Sequence, residues 1–274
     1  MIVFPHCKIN LGLQVLQKRP DGYHDIATVF YPVPFEDVLE IVPHSNAAEP
    51  VIFNYGLPVK GNTADNLCVK AWQLLKKDFS GLPPVEIHLL KNIPMGAGLG
   101  GGSADGAFML QLLSNKFHLN LSQQQLLQYA LQLGSDCPFF IINQPCYATR
   151  RGEMMEPLAL DLKGYQLVIV NPGIHINTGW AFEQLHKHNA FVKTSDVKAI
   201  VMQPVTAWKQ QLVNDFEQPV FAAYPQLKAI KENLYQLKAV YAAMSGSGSV
   251  VFGLFNENVN LTSGLPAHYT VIRL

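Results

Sequence analysis

Charge, cysteine and long apolar runs are all scarce in this chain. Acidic and basic side chains make up 15% of its 274 residues, and 20 lysines and arginines balance 20 aspartates and glutamates. A chain without a basic excess is poorly equipped to hold a nucleic-acid backbone, which excludes a non-specific nucleic-acid binder but not a small basic pocket for one nucleotide. The four cysteines, Cys7, Cys68, Cys137 and Cys146, form no C-x-x-C pair and have no histidine cluster at zinc spacing. That excludes a zinc module and suits small core residues in a reducing compartment. No metal site built from protein ligands is expected. No apolar run approaches the roughly 20 residues that span a bilayer. The first residues lack the charged start and apolar stretch of a secretory leader. The expectation is a soluble, cytoplasmic protein with neither a membrane nor a nucleic-acid partner. Internal repeats and low-complexity tracts are lacking as well.

Apolar residues are plentiful, at 49% of the chain, enough to build one large domain or two of ordinary size. Glycine is concentrated in one place, in Lys91-Asn92-Ile93-Pro94-Met95-Gly96-Ala97-Gly98-Leu99-Gly100-Gly101-Gly102-Ser103-Ala104-Asp105. Such a loop can turn several N–H groups toward one point. The apolar run that follows, from Gly106 to Leu113, reads as a buried helix. An anion held by the loop would therefore sit at a helix N-terminus, and phosphate is the natural guest.

Two further absences sort the known glycine patterns. No lysine follows Gly101 or Gly102, so the Walker pattern fails. Gly96-x-Gly98-x-x-Gly101 satisfies the dinucleotide fingerprint, but residues 106–135 contain no Asp or Glu to hold a ribose hydroxyl. An NAD(P)-dependent oxidoreductase is therefore a remote alternative. The H-R-D and D-F-G companions of protein kinases are missing.

Periodicity places the other elements. Ile9, Leu11, Leu13 and Val15 alternate with Lys8, Asn10, Gly12 and Gln14, a strand that puts Lys8 and Asn10 on one face. Pro20-Asp21-Gly22 is a turn that displays Tyr23 and His24. Strands are expected over 26–31, 38–42, 51–55, 83–90, 146–149, 165–170, 239–244, 250–255 and 269–274. Helices are expected over 67–77, capped by Thr63 or Asp65, over 123–133 behind a Ser122/Gln125 capping box, over 196–202, 205–212 and 225–237, and from a cap at Thr178 through His188. Taken alone, Asp136 reads as a cap or turn residue. A boundary falls near 150–164.

Pro94-x-Gly96-x-Gly98-Leu99-Gly100-x-x-Ser103-Ala104 resembles the phosphate loop of the GHMP kinases, small-molecule kinases related to homoserine, mevalonate and galactose kinases. Two further stretches match that family in its order: Lys8-Ile9-Asn10-Leu11-Gly12-Leu13, and Met244-Ser245-Gly246-Ser247-Gly248-Ser249. Within the family, Arg19-Pro20-Asp21-Gly22-Tyr23-His24 and Gly134-Ser135-Asp136-Cys137-Pro138-Phe139-Phe140 narrow the resemblance. They point to a member that phosphorylates an alcohol linked to cytidine diphosphate in the non-mevalonate isoprenoid pathway. A GHMP kinase for homoserine or mevalonate is the alternative. Ala97 and Cys137 depart from the pattern, and the stretch 204–219 matches nothing.

The resemblance implies an α+β, two-lobed GHMP kinase fold. Its N-terminal lobe, resembling the second domain of ribosomal protein S5, would span 1–155, and a ferredoxin-like C-terminal lobe would span 156–274, with the substrates in the cleft between. It implies Lys8 and Asp136 as catalytic residues. For ATP it implies Asn66, Leu67, Lys91, Pro94, Met95, Gly96, Ala97, Gly98, Leu99, Gly100, Gly101, Gly102, Ser103 and Ala104. Asn66 and Leu67 would lie on the adenine side, Ser103 would contact a phosphate or magnesium, and Mg²⁺ would be held mainly by phosphates. For the cytidylyl substrate it implies Asn10, Tyr23, His24, Asp136, Thr178, Phe182, Gly246 and Gly248, with Phe182 stacking on the cytosine opposite Tyr23 and His24. The implied protein is a monomer or weak homodimer.

Overall fold

Strand and helix signals alternate along the sequence, and the computed structural model, which describes residues 1–44, 47–59, 61–187, 196–259 and 264–274, turns them into three four-stranded sheets and their covering helices. Two compact units result. The first comprises Met1–Lys8, Pro32–Met95 and Gly100–Gln144, the second Ile9–Tyr31, Gly96–Leu99 and Pro145–Leu274. The expected cut at 155/156 divides the chain in sequence, whereas the compact units interleave along it. Pairing explains part of this: Ile26 through Phe30 find their strand partners at Arg150 through Cys146, in the C-terminal half of the chain.

The first unit is built on a sheet of order β1-β4-β6-β5, from β1 (Ile2–Val3), β4 (Val38–Pro43), β5 (Val51–Gly56) and β6 (Val85–Lys91). β4 runs antiparallel to β6 and β5 runs parallel to it. A parallel pair cannot be closed by a hairpin, so a crossover helix must intervene, and α1 (Leu67–Asp78) supplies it. The cap of α1 is Asn66, whose Oδ1 accepts the Cys68 N–H at 2.9 Å. Thr63 and Asp65, the expected caps, are taken up in a 3-10 turn that Asn62 caps instead. β6 ends at Lys91 and the glycine loop leads into α2 (Gly101–Lys116), buried along most of its length as its apolar sequence requires. α3 (Gln123–Leu133) has the expected capping box at Ser122 and Gln125. α4 (Cys137–Ile142) was not legible, because a six-residue apolar run carries no period that separates helix from strand.

Two sheets belong wholly or partly to the second unit. One has the order β2-β3-β7-β8, with β2 (His6–Lys18), β3 (His24–Glu36), β7 (Cys146–Arg150) and β8 (Met154–Pro157). The other, β10-β11-β9-β12, is antiparallel throughout, from β9 (Gln166–Asn171), β10 (Tyr241–Met244), β11 (Val251–Phe255) and β12 (Thr270–Arg273). Its helices are α5 (Thr178–Lys187), α6 (Val197–Val201), α7 (Val205–Gln211), α8 (Glu217–Ala223) and α9 (Pro225–Gln236). Val168, Val170, Leu227, Ile230, Leu234 and Val251 form the centre of its core, all at most 2% exposed. Asn177 rather than Thr178 caps α5, accepting the Trp180 N–H at 2.9 Å. The expected end of that helix at His188 lies outside the described residues. β8 and α8 lie in stretches where proline and charge interrupt the periodicity.

The capping box gives a clean test of local stability. Ser122→Ala removes the acceptor of the Gln125 N–H and is expected to cost about 0.5–2 kcal/mol in urea denaturation. Ser122 is no part of the candidate site below, so turnover should be unchanged.

Candidate active site

In the first unit the site begins where the chain leaves the glycine loop. Gly100 takes φ of 73° at the N-cap of α2 and offers no side-chain cap. The first intrahelical bond there runs from Ala104 N–H to Gly100 O at 2.9 Å, so the N–H groups of Gly101, Gly102 and Ser103 are the helix's open donors. Glycine is needed at 100 for space as well as φ: a Cβ there would lie 3.0 Å from Phe140 and 3.2 Å from the Lys8 stem. Lys8 is 4% exposed, and its Nζ stands 3.9 Å from Asp136 Oδ2. Burial lowers the Lys8 pKa and the Asp136 charge works against that. Asp136 occupies the N-cap of α4 but makes no side-chain cap bond. The cap role open to it on sequence is thus not filled, and its half-buried carboxylate faces the lysine. The α2 terminus, an ammonium and a carboxylate are brought together by sterics around one glycine.

Lys91 has another fate. Its ammonium is 1% exposed and bonds to Asp37 and, at 2.7 Å, to Asp105. Asp37 Oδ1 also accepts the N–H groups of Asn92 at 2.6 Å and Ile93 at 2.9 Å. Lys91 was expected to reach the nucleotide; in the structure two buried carboxylates hold its charge. Burial pulls the Lys91 pKa down, but Asp105 and Asp37 outweigh it and the pKa is raised. Burial, with the Asp37 charge, pushes Asp105 up to about 7 against the pull of Lys91. Asp37 and Asp105 escaped the sequence reading because nothing local marks an aspartate as the partner of a lysine 54 or 14 residues away.

In the second unit the loop segment Gly96–Leu99 packs backbone to backbone on the C-terminal Gly/Ser loop. A Cβ on Gly98, whose φ is +84°, would lie 2.0 Å from Ser245 O. Ser245 Oγ donates to Gly98 O at 2.8 Å and accepts the Asn10 N–H at 3.2 Å. Asn10 Nδ2 donates to Thr28 Oγ1 at 3.0 Å. Val250 N–H reaches Ala97 O at 3.2 Å. A Cβ on Gly246 would meet Gly98 Cα at 3.3 Å, and the Thr178 and Ser247 hydroxyls are 3.0 Å apart. Asn10, Gly98 and Gly246 therefore form one neighbourhood around Ser245, which the sequence placed in a motif without a role, and Thr178 meets the same loop at Ser247.

The aromatic residues differ from expectation in one respect. The His24 and Phe182 rings stack directly, with centroids 4.2 Å apart and planes 10° apart. A base between two rings needs roughly 7 Å, so no cytosine fits between them at this spacing. Phe182 also meets the Phe216 ring edge-on at 4.9 Å. Tyr23 is 55% exposed, with the Arg151 guanidinium 4.8 Å above its ring.

An uncapped helix terminus behind a glycine loop, beside a lysine and a carboxylate, is suited to phosphoryl transfer onto a hydroxyl. Comparison with known proteins defines the class. GHMP kinases N terminal domain describes residues 66–144, and GHMP kinases C terminal describes residues 203–268. The chain belongs to the GHMP kinases and is a small-molecule kinase. Among its relatives, a Bacteroides fragilis (strain YCH46) protein named 4-diphosphocytidyl-2-C-methyl-D-erythritol kinase is 51% identical over 263 residues, 96% of this chain and 94% of its own. A Bacteroides thetaiotaomicron protein of the same name is 52% identical over 262 residues, covering 95% and 94%. A crystal structure of 4-(cytidine 5'-diphospho)-2C-methyl-D-erythritol kinase superimposes with a TM-score of 0.78 at 31% identity, covering 93% of this chain and 90% of that one. The Methanococcus jannaschii mevalonate kinase shares the fold, with a TM-score of 0.66 at 13% identity, covering 93% and 90%. No helix of the described residues is long and apolar enough to cross a membrane.

Two outcomes follow from this geometry. Gly98→Ala places a methyl on the Ser245 carbonyl in a left-handed conformation and should cost at least about 2 kcal/mol in urea denaturation. The folded state keeps the Asp105 proton up to about pH 7, whereas an unfolded aspartate releases it near 4. Folding therefore takes up a proton between those values, and stability falls as pH rises through that window and levels off above it. Urea midpoints at pH 5 and pH 8 should show a smaller fall for Asp105→Asn than for the wild type.

Proposed function

We propose that this protein transfers the γ-phosphate of ATP to the 2-hydroxyl of 4-diphosphocytidyl-2-C-methyl-D-erythritol, a step on the non-mevalonate route to isoprenoid precursors. The observation that carries the reading is the Lys8–Asp136 pair beside the start of α2. The names of relatives about half identical over nearly the whole chain support the choice of acceptor.

In this reading the acceptor hydroxyl lies against Asp136. The bond between the γ-phosphorus and the β,γ-bridging oxygen breaks and leaves ADP. A bond from the acceptor oxygen to phosphorus forms, and the hydroxyl proton passes to Asp136. Lys8, with its ammonium 3.9 Å from that carboxylate, balances charge on the moving group. Residues 96–103 hold the phosphates through backbone N–H groups and the Ser103 hydroxyl, without the Lys91 ammonium. Pro94, Met95 and Ala104 flank that cradle. Asn66 and Leu67 lie on the adenine side. Among the described residues no three His, Cys, Asp or Glu side chains gather as a ligand set, and Mg²⁺ would enter with ATP and neutralise phosphate charge, with phosphate oxygens and water as its ligands. Tyr23, His24 and Phe182 hold the cytosine once the His24–Phe182 stack opens or the base takes an outer ring face, with Asn10, Thr178, Gly246 and Gly248 around the rest of the substrate. The protein works in the cytoplasm as a monomer or weak homodimer.

ADP release measured with the cytidylyl acceptor, mevalonate and homoserine tests the proposal; turnover on either of the latter and none on the first would overturn it. Asp136→Asn should lower kcat by about 10²–10⁴ with little change in ATP KM. Tyr23→Ala and Phe182→Ala should raise acceptor KM more than ATP KM, and equal effects on both would contradict the stacking role.

A further inference from the structure

The stretch 204–219 matches none of the motifs, yet it contains the residues that secure the Gly/Ser loop. Residues 213–215 run beside β2 within the second unit: Leu13 N–H donates to Val213 O at 3.0 Å, Asp215 N–H to Leu13 O at 2.8 Å, and Val15 N–H to Asp215 Oδ2 at 2.8 Å. Between these anchors the Asn214 side chain, 1% exposed, turns toward residues 244–246. Its Nδ2 donates to Met244 O at 2.7 Å and to Gly246 O at 2.8 Å, and its Oδ1 accepts the Phe216 N–H at 3.0 Å. Two carbonyls on one end of the amide and an N–H on the other fix which end is nitrogen. Glu217 completes the hold: Oε1 accepts the Met244 N–H at 2.9 Å, and Oε2 takes Lys231 Nζ at 2.6 Å.

The consequence for the loop follows from peptide geometry. In a trans peptide the carbonyl and the next N–H point in opposite directions. With Met244 O on Asn214, the Ser245 N–H turns to Val250 O at 2.9 Å. With Gly246 O on Asn214, the Ser247 N–H must turn away from the buried amide. We propose that Asn214 is a positioning residue of the active site, holding the Met244 and Gly246 carbonyls so that the Ser247 N–H is presented to a phosphoryl oxygen of the acceptor. This rests on reading residues 245–249 as a substrate-contacting loop. Asparagine suits the position because it supplies two donors to two buried carbonyls. An aspartate of the same shape supplies none when ionised, and a serine is too short to reach both.

The test combines kinetics with amide spectroscopy. Asn214→Asp and Asn214→Ser are expected to raise acceptor KM at least about tenfold while nucleotide Kd stays within about twofold. In wild-type protein labelled with ¹⁵N, titration with the cytidylyl acceptor should move the Ser247 amide resonance, and ATP alone should move it less. An unchanged acceptor KM, or equal weakening of both ligands, overturns the proposal. So does a Ser247 resonance indifferent to the acceptor, a readout that stands even if both variants fail to fold. Wild-type protein inactive on the cytidylyl acceptor would defeat the assigned function instead; active wild type with normal Asn214 variants defeats only the positioning role.

Discussion

The approach of the Ser245 carbonyl to Gly98 is the constraint around which the Gly/Ser loop of the second unit is arranged. A Cβ at residue 98 would occupy the place of that carbonyl oxygen. Because it is missing, two irregular stretches about 150 residues apart meet backbone to backbone and exchange hydrogen bonds through Ser245 Oγ and Val250 N–H. Asn10 joins the same serine from β2. Irregular backbone buried in this way must find partners for its polar groups, and the partners come from each other and from Asn214. The glycines thus matter for what they let approach as much as for the φ angles they accept.

The first unit shows the same economy with charge. It buries two ammonium groups near the glycine loop and treats them differently. Lys91 is held by two carboxylates, one of which also caps the N–H groups at the start of the loop. Its desolvation is offset by close partners, and the cluster ties β6 to α2. Lys8 has a carboxylate at 3.9 Å, and burial lowers its pKa. A pair at that distance is looser than the hydrogen-bonded Lys91 cluster. The place of Lys91 in the motif does not reveal this difference, which depends on Asp37 and Asp105.

Much of the fold was legible. Alternation located β4, β5, β6, β7, β9, β10, β11 and β12 to within a few residues, and Ser122 with Gln125 announced α3. The caps of α1 and α5 were misassigned by one to three residues, since Thr63, Asp65 and Thr178 are as able to cap as the asparagines that do. Short elements such as α4 and β8 carry too few residues for a period to show. In the site, the glycine loop, Lys8, Asp136, Asn10 and Gly246 stood out as motif members. The His24–Phe182 stack did not, because it joins residues 24 and 182 through their rings alone.

The sequence by itself determined the family, the glycine loop and the chemical types available, because these reside in residue identity at short spacing: glycines that admit close approach, a helix start without a side-chain cap, a lysine and an aspartate in matching motifs. Tertiary structure alone decided which charges are neutralised and which carbonyls are held. Asp37 and Asp105 claim Lys91, and Asn214 claims Met244 O and Gly246 O, across gaps of 54, 14, 30 and 32 residues. Hydrogen bonds and ion pairs act over about 3 Å in space whatever the distance along the chain, so no local pattern records them.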